Sequence, residues 1–439
     1  MTLSLISLQK LRHSERSEEP CVLASTRHSS LATLLRAISI LFAPLLVTCA
    51  LVTTLDANGI LIPSQDPIPA SYFDLNILFH PATQVAWPAV PFYGWRLAHA
   101  NWPDLEPQKD RWNFSLLDKY VSWADQHHTE ILMILTFTPR WASSSPDAPS
   151  DFPNSPGYAG IPRDMNDWRT FVQTVATRYK GHIHLYEIWN EPDRPRDWVG
   201  DTDTMISMVR DAAQILKQID PSITVLSPCP TYPNGLKWLN GFLQKGGSQY
   251  VDVIAYHFYV AKGAPPENVI PLIQQVRGMM QKYGVGDKPL WNTEAGYLGD
   301  TFLPDDQQAA YVARFYILNW AAGIPRYYWY AWEDHHGTQI ELVEKDNATL
   351  TPAGHAYDTI QQWLKGSVMK HCQTDNSHNW VCELDRDGST QHIIWNADSD
   401  HPFRVPQVWN VHQVTTLAGQ TSSPNADSIQ IGIQPLLLH

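Results

Sequence analysis

Two short segments place a glutamate directly after an apolar run. One is Tyr186-Glu187-Ile188-Trp189-Asn190-Glu191-Pro192, and the other is Leu290-Trp291-Asn292-Thr293-Glu294-Ala295-Gly296-Tyr297. Glu191 and Glu294 stand among aromatic and amide residues rather than in a charged loop. A lone glutamate in such a place is most simply a solvated surface group. A pair facing one cavity can break a glycosidic bond. One carboxylic acid protonates the departing oxygen, and a second carboxylate meets the anomeric carbon. A separation of about 5–5.5 Å gives retention through a covalent sugar intermediate, whereas about 6.5–9.5 Å admits a water and gives inversion. Nothing in the sequence sets that distance.

Other residue types suited to this chemistry lie nearby in the pattern. Arg96, in Gly94-Trp95-Arg96-Leu97, can support a carboxylate or form a structural ion pair. His257 and Tyr259 are spaced so that both fall on one face of an extended segment. They read either as site groups or as a core pair. Trp332 and Trp141 are candidate platforms for the flat face of a sugar. His80, His99 and Asn101 are candidate partners for sugar hydroxyls. Asp334-His335-His336 contains metal-ligand types, but adjacent loop histidines rarely point the same way. The expectation is therefore no metal and no cofactor.

The elements that must position these groups follow from the apolar pattern. Short apolar runs occur at 73–79, 94–99, 130–136, 183–189, 223–227, 251–256, 289–292 and 326–330. Amphipathic stretches at 116–126, 168–179, 204–218, 269–283 and 307–322 lie between them. Alternating strands and helices imply a parallel sheet. Eight such strands over about 300 residues predict a (β/α)8 TIM barrel. A doubly wound open sheet is the competitor, but no Gly-rich phosphate turn follows the first strand. Barrel sites are built at the C-terminal ends of the strands. Glu191 ends the fourth strand and Glu294 the seventh. Arg96 lies on the second, His257 and Tyr259 end the sixth, and Trp332 follows the eighth.

The residues so placed resemble clan A of the retaining glycoside hydrolases, most closely family 39 and its relatives. The resemblance runs from about Tyr72 to the C-terminus. It rests on Asn190-Glu191-Pro192 at strand four and Thr293-Glu294-Ala295-Gly296 at strand seven. It implies Glu191 as acid/base, Glu294 as nucleophile, and Asn190 as the amide that bonds the sugar 2-hydroxyl. It implies Arg96 beside the nucleophile, where a guanidinium favours the ionised carboxylate. Glu191 is then expected to keep its proton, with a raised pKa. The resemblance further implies His257 flanking the acid/base, the Tyr259 hydroxyl bonding the nucleophile, and Trp332 as the floor under the sugar. A β-linked glycan is the implied substrate. Many clan members carry a histidine after strand three, where this chain has Thr136-Phe137-Thr138-Pro139. That departure bears on which sugar is bound. A catalytically inactive, glycan-binding barrel is the alternative reading, and such a binder has no need of this full set.

Composition agrees with a globular chain, with 44% hydrophobic and 17% charged residues. The net charge of -13 argues against nucleic acid and fits a neutral glycan, oligosaccharide or polysaccharide. Residues 1–55 read as a tail and export signal or membrane anchor, because 37–55 is uncharged and mostly apolar after Arg27 and Arg36. That run is also a candidate membrane tether, and the expected location is exported. Residues 56–71 read as a linker, 72–367 as the barrel and 368–439 as a small C-terminal β-sandwich. Cys372 and Cys382 are close in a strand-rich stretch and form a candidate disulfide if the chain is exported.

Overall fold

The computed structural model describes residues 60–79, 86–151, 154–333, 339–424 and 428–439. The expectations resting on 37–55, His80 and 334–336 lie outside these residues.

A short strand β1 (Ile60–Leu61) precedes eight parallel strands: β2 (Phe73–Ile77), β3 (Gly94–Leu97), β4 (Glu130–Leu135), β5 (Leu185–Ile188), β6 (Thr224–Leu226), β7 (Ile254–Tyr256), β8 (Leu290–Ala295) and β9 (Tyr327–Trp329). Their order is β6-β5-β4-β3-β2-β9-β8-β7. Parallel bridges Leu226↔Val253 and Thr231↔His257 join the two ends, so the sheet closes into a barrel. The helices are α1 (Trp102–Leu105), α2 (Ser115–His127), α3 (Met165–Arg178), α4 (Thr202–Ile219), α5 (Gly235–Gln244), α6 (Val269–Lys282), α7 (Asp305–Ala321) and α8 (Pro352–Leu364).

Local chemistry explains several boundaries. Asp201 caps α4 by accepting the Thr204 N–H at 2.8 Å, and Thr351 caps α8 by accepting from Gly354 at 3.0 Å with Pro352 behind it. Such caps satisfy amides that a helix start leaves open. Gly366 follows α8 with φ of 84°, a conformation glycine adopts without a Cβ clash. The α5 helix is absent from the sequence reading, since Gly235 and Gly241 dilute its pattern.

Two apolar layers hold the barrel. The larger lies between strands and helices and includes Phe73, Tyr186, Ile188, Phe171, Tyr316 and Trp329. A separate cluster contains Leu132, Leu185, Leu226, Ala255, Trp291 and Tyr328, one from each of β4 to β9, and fills the interior. Strand side chains alternate, so Glu187, two residues after Leu185, also turns inward. Below it, Gly94 lets Asp74 and Arg326 approach. A Cβ at that position would stand 2.5 Å from Asp74 Oδ1 and 2.6 Å from Arg326 Nη2.

The C-terminal domain contains β10 (Val368–Thr374), β11 (Asn379–Arg386), β12 (Ser389–Asn396), β13 (His401–Arg404), β14 (Val414–Thr415), β15 (Thr421–Ser422), β16 (Ser428–Ile431) and β17 (Leu436–Leu438). One antiparallel sheet runs β1-β10-β11-β12-β17-β14-β15, and β13 pairs with β16 in a second. Ile394, Val414, Ile431 and Leu438 pack between them with Phe403 and Trp409. The segment read as a linker thus supplies an edge strand, β1, to this sheet. Cys372 and Cys382 are opposite each other on β10 and β11 and form a disulfide. Arg386 donates to the Gln362 and Trp363 carbonyls of α8, and Trp395 donates to Glu267 at 2.9 Å. These bonds seat the domain on the barrel.

Candidate active site

The turns after the barrel strands have an uncommon backbone. Phe79, Ala100, Phe137, Trp189 and Glu191 have φ of 40°, 75°, 62°, 71° and 40°. They follow β2, β3, β4 and β5, all at the C-terminal end. Residues with a Cβ disfavour this region, and such strain persists where the surroundings enforce it, often at functional sites. A cavity of about 1100 Å³ opens over these turns. Arg96, Asn190, Glu191, Tyr259 and Glu294 line it together.

Arg96 is the hub beneath the cavity. Its Nε donates to Glu187 Oε2 at 2.7 Å and its Nη1 to Glu294 Oε2 at 2.6 Å. Nη1 also reaches Asn76 Oδ1 at 3.2 Å, and Nη2 reaches Asn190 Oδ1 at 2.9 Å. A guanidinium only donates. The Asn190 contact therefore fixes that amide with Nδ2 as the atom left for a ligand. Arg96 Nη2 also lies 3.2 Å from His257 Nε2, which must accept. The His257 ring proton then sits on Nδ1, which faces Glu191 Oε1 at 2.9 Å.

Glu294 takes a second bond, from the Tyr259 hydroxyl to Oε1 at 2.9 Å. Burial and the Glu294 carboxylate push the Tyr259 phenol well above its usual range, so it keeps its proton and donates. Arg96 and Tyr259 together orient both Glu294 oxygens. Oxygens of Glu191 and Glu294 approach within 4.8 Å.

Glu191 departs from the expectation of a raised pKa. Burial opposes its charge, but the His257 Nδ1–H contact and the Arg194 guanidinium outweigh it and hold the carboxyl below its usual range. Arg194 pairs with Glu191 Oε2 and with Asp151. Its Nε lies 3.2 Å from Asp197. The sequence reading did not single out Arg194. The signal available was the charged run Asp193, Arg194, Arg196 and Asp197 directly after Pro192. Asn76 and Glu187 were likewise passed over. Each is a polar residue inside a buried strand, and each bonds Arg96.

His99 and Asn101 line the cavity, and Asn101 also caps α1. Trp332 and Trp141 are not in its described wall. Trp332 is 1% exposed and packs into the core, with its backbone N–H bonded to the Asn76 carbonyl at 2.9 Å. Tyr330, two residues earlier, lines the cavity instead. Gly296 allows this, because a Cβ there would stand 2.0 Å from the Tyr330 carbonyl oxygen. The Trp141 ring donates to the Glu106 carbonyl at 2.8 Å and packs edge-on against Trp102. The aromatic side chains of the described wall are Phe137, Tyr232, Tyr259 and Tyr330.

A family model described as the glycosyl hydrolase catalytic core matches residues 138–357, half of the chain and both glutamates. This chain belongs to that family. The glycosidase also resembles solved structures. A family 39 glycoside hydrolase from Bacteroides cellulosilyticus WH2 matches with a TM-score of 0.66 at 18% identity, covering 84% of this chain and 82% of that one. A monomeric β-xylosidase from Caulobacter crescentus CB15 gives 0.62 at 15% identity, covering 86% and 97%. A family 30 endoxylanase from Clostridium papyrosolvens C71 gives 0.58 at 13%, covering 87% and 99%. Among curated proteins no sequence matches. At such identities the likeness establishes the fold, a (β/α)8 barrel. The family match establishes the glycosidase class.

Proposed function

We propose that this glycosidase is a retaining enzyme that cleaves β-linked glycans by double displacement. The observation that carries this reading is the approach of Glu191 and Glu294 oxygens to within 4.8 Å. So close an approach leaves less room for a water than the about 6.5–9.5 Å between the carboxyl groups of inverting enzymes, and it supports retention. Glu294, held by Arg96 and Tyr259, attacks the anomeric carbon. Glu191 gives its proton to the leaving oxygen, then takes one from the water that releases the sugar. Asn190 Nδ2 is placed to bond the 2-hydroxyl.

The β-linkage draws support from the relatives, which include a β-xylosidase and an endoxylanase. A neutral glycan suits a wall that carries Asp151, Glu191, Asp193, Asp197, Glu294 and Glu333 against Arg96 and Arg194. Export is part of the same proposal and draws support from the Cys372–Cys382 disulfide.

The test is product stereochemistry. Proton NMR taken early in hydrolysis of an aryl β-glycoside is expected to show the β-anomer first, with the α-anomer appearing only by mutarotation. An initial α-product would end the retaining reading. A second expectation concerns Glu191. In Glu191→Ala, substrates with poor leaving groups should lose about 100-fold or more in kcat/KM, the scale of a missing general acid. Activated aryl glycosides should lose far less in the same step. Equal losses across a leaving-group series would remove Glu191 from the acid role.

A further inference from the structure

Both oxygens of Glu191 are engaged by donors of the protein. Oε1 faces His257 Nδ1 and Oε2 faces the Arg194 guanidinium. Each oxygen keeps a lone pair, but a guanidinium on Oε2 favours the ionised carboxylate over the acid that must protonate a departing glycosidic oxygen. Opening one of the two contacts would let Glu191 hold the proton that an acid needs. His257 is fully buried and tied to Arg96, so it has nowhere to go. The Arg194 side chain is 46% exposed and projects into the cavity wall.

We propose that Arg194 is a latch on the acid/base, a positioning residue that swings off Glu191 onto Asp151 and Asp197 as the leaving group enters. This rests on the reading of Glu191 as acid/base given above. The receiving carboxylates are already in place. Arg194 is paired with Asp151 and lies 3.2 Å from Asp197 through Nε. Its backbone does not need to move. The Arg194 N–H bonds the Glu191 carbonyl, and the Asp197 and Trp198 N–H groups bond the Arg194 carbonyl at 3.0 and 2.9 Å. That turn keeps the guanidinium within reach of all three acids in either position. The other groups facing Glu191 are Glu294, Asp193, Asp197 and Tyr259, none of them cationic. Asp151 is shared with Arg196 Nε at 3.0 Å, which makes it the outer anchor of the latch.

The consequence is a split between two pH profiles. The profile of kcat/KM reports ionisations before substrate binds, and that of kcat reports those in the complex. With the latch closed before binding and open after it, the alkaline limb of kcat/KM lies at lower pH than that of kcat. Removing the cation in Arg194→Gln lets Glu191 keep its proton to higher pH. The kcat/KM limb should rise by about one to two units toward the kcat limb, the shift a close opposite charge produces. Asp151→Asn leaves Arg194 and Arg196 less neutralised and should move the same limb the other way. Arg194→Lys keeps a charge and should restore part of the wild-type split.

The experiment measures both profiles for the four proteins on an aryl glycoside with a poor leaving group, alongside Glu191→Gln. A kcat/KM limb unchanged in Arg194→Gln, or shifted in the same direction by Arg194→Gln and Asp151→Asn, overturns the latch. If Glu191→Gln is crippled in that same series, the acid/base reading survives that failure. If Glu191→Gln keeps wild-type rates, the acid/base reading falls and the latch falls with it.

Discussion

Glu294→Ala is expected to lower turnover of an aryl β-glycoside by about four orders of magnitude or more, the scale on which loss of a covalent nucleophile is felt. The fold should survive the change. Arg96 keeps Glu187 at 2.7 Å and Asn190 at 2.9 Å when Glu294 is gone. The truncation leaves a small space beside a guanidinium and the Tyr259 hydroxyl, both donors that favour an anion. Added azide should enter there, attack the anomeric carbon and restore part of the rate. The product would be a glycosyl azide of inverted configuration, because a single displacement replaces two. Circular dichroism establishes folding, initial rates give the loss, and NMR of the azide adduct gives the configuration. Rates near wild type would dismiss Glu294 as the nucleophile. Rescue with retained configuration would make Glu294 the acid/base and pass the nucleophile role to Glu191.

Arg96→Met should damage both stability and rate. The Arg96 side chain is 2% exposed and that of Glu187 is 0%. Among the described residues Glu187 Oε1 has no hydrogen-bond partner, so Arg96 is the support for that carboxylate. Removing one partner of a buried ion pair costs roughly 3–5 kcal/mol, since it leaves the other charge uncompensated. Urea denaturation of the variant should show a loss of that size. The rate should fall by about 100-fold or more, because Glu294, Asn190 and His257 all lose a shared donor. Arg96→Lys should recover little, as an ammonium cannot reproduce a fork that meets five acceptors. The double variant Glu187→Gln with Arg96→Met separates the two effects. It removes the stranded charge, so stability should return in large part while the rate stays low. A double variant that regains rate as well would reduce Arg96 to a structural ion pair.

Much of the molecule was legible in the chain because its cues are local. All eight barrel strands lie at the predicted apolar runs, since an inward and an outward layer both need apolar residues there. Glu191 and Glu294 could be placed at one end of the barrel because parallel strands all finish on the same side. The disulfide could be placed because Cys372 and Cys382 lie in neighbouring strand-like stretches. The exchange of Trp332 for Tyr330 was not legible. Which aromatic reaches the cavity depends on how the chain leaves β9 and on the close seat that Gly296 provides. Nor was the role of β1, whose pairing with Gln373 and Cys372 spans about three hundred residues.

The protonation of Glu191 shows the same boundary most sharply. Sequence alone determined that two glutamates of the right type would stand at the mouth of one barrel, with an arginine, a histidine and a tyrosine on neighbouring strands. Tertiary structure alone decided their spacing, their hydrogen bonds and the His257 and Arg194 contacts that favour an ionised Glu191. The reason is physical. Strand order and side-chain parity follow from periodicities of a few residues. Distances between carboxylates, and the field each one feels, exist only once β6 and β7 meet and the barrel closes.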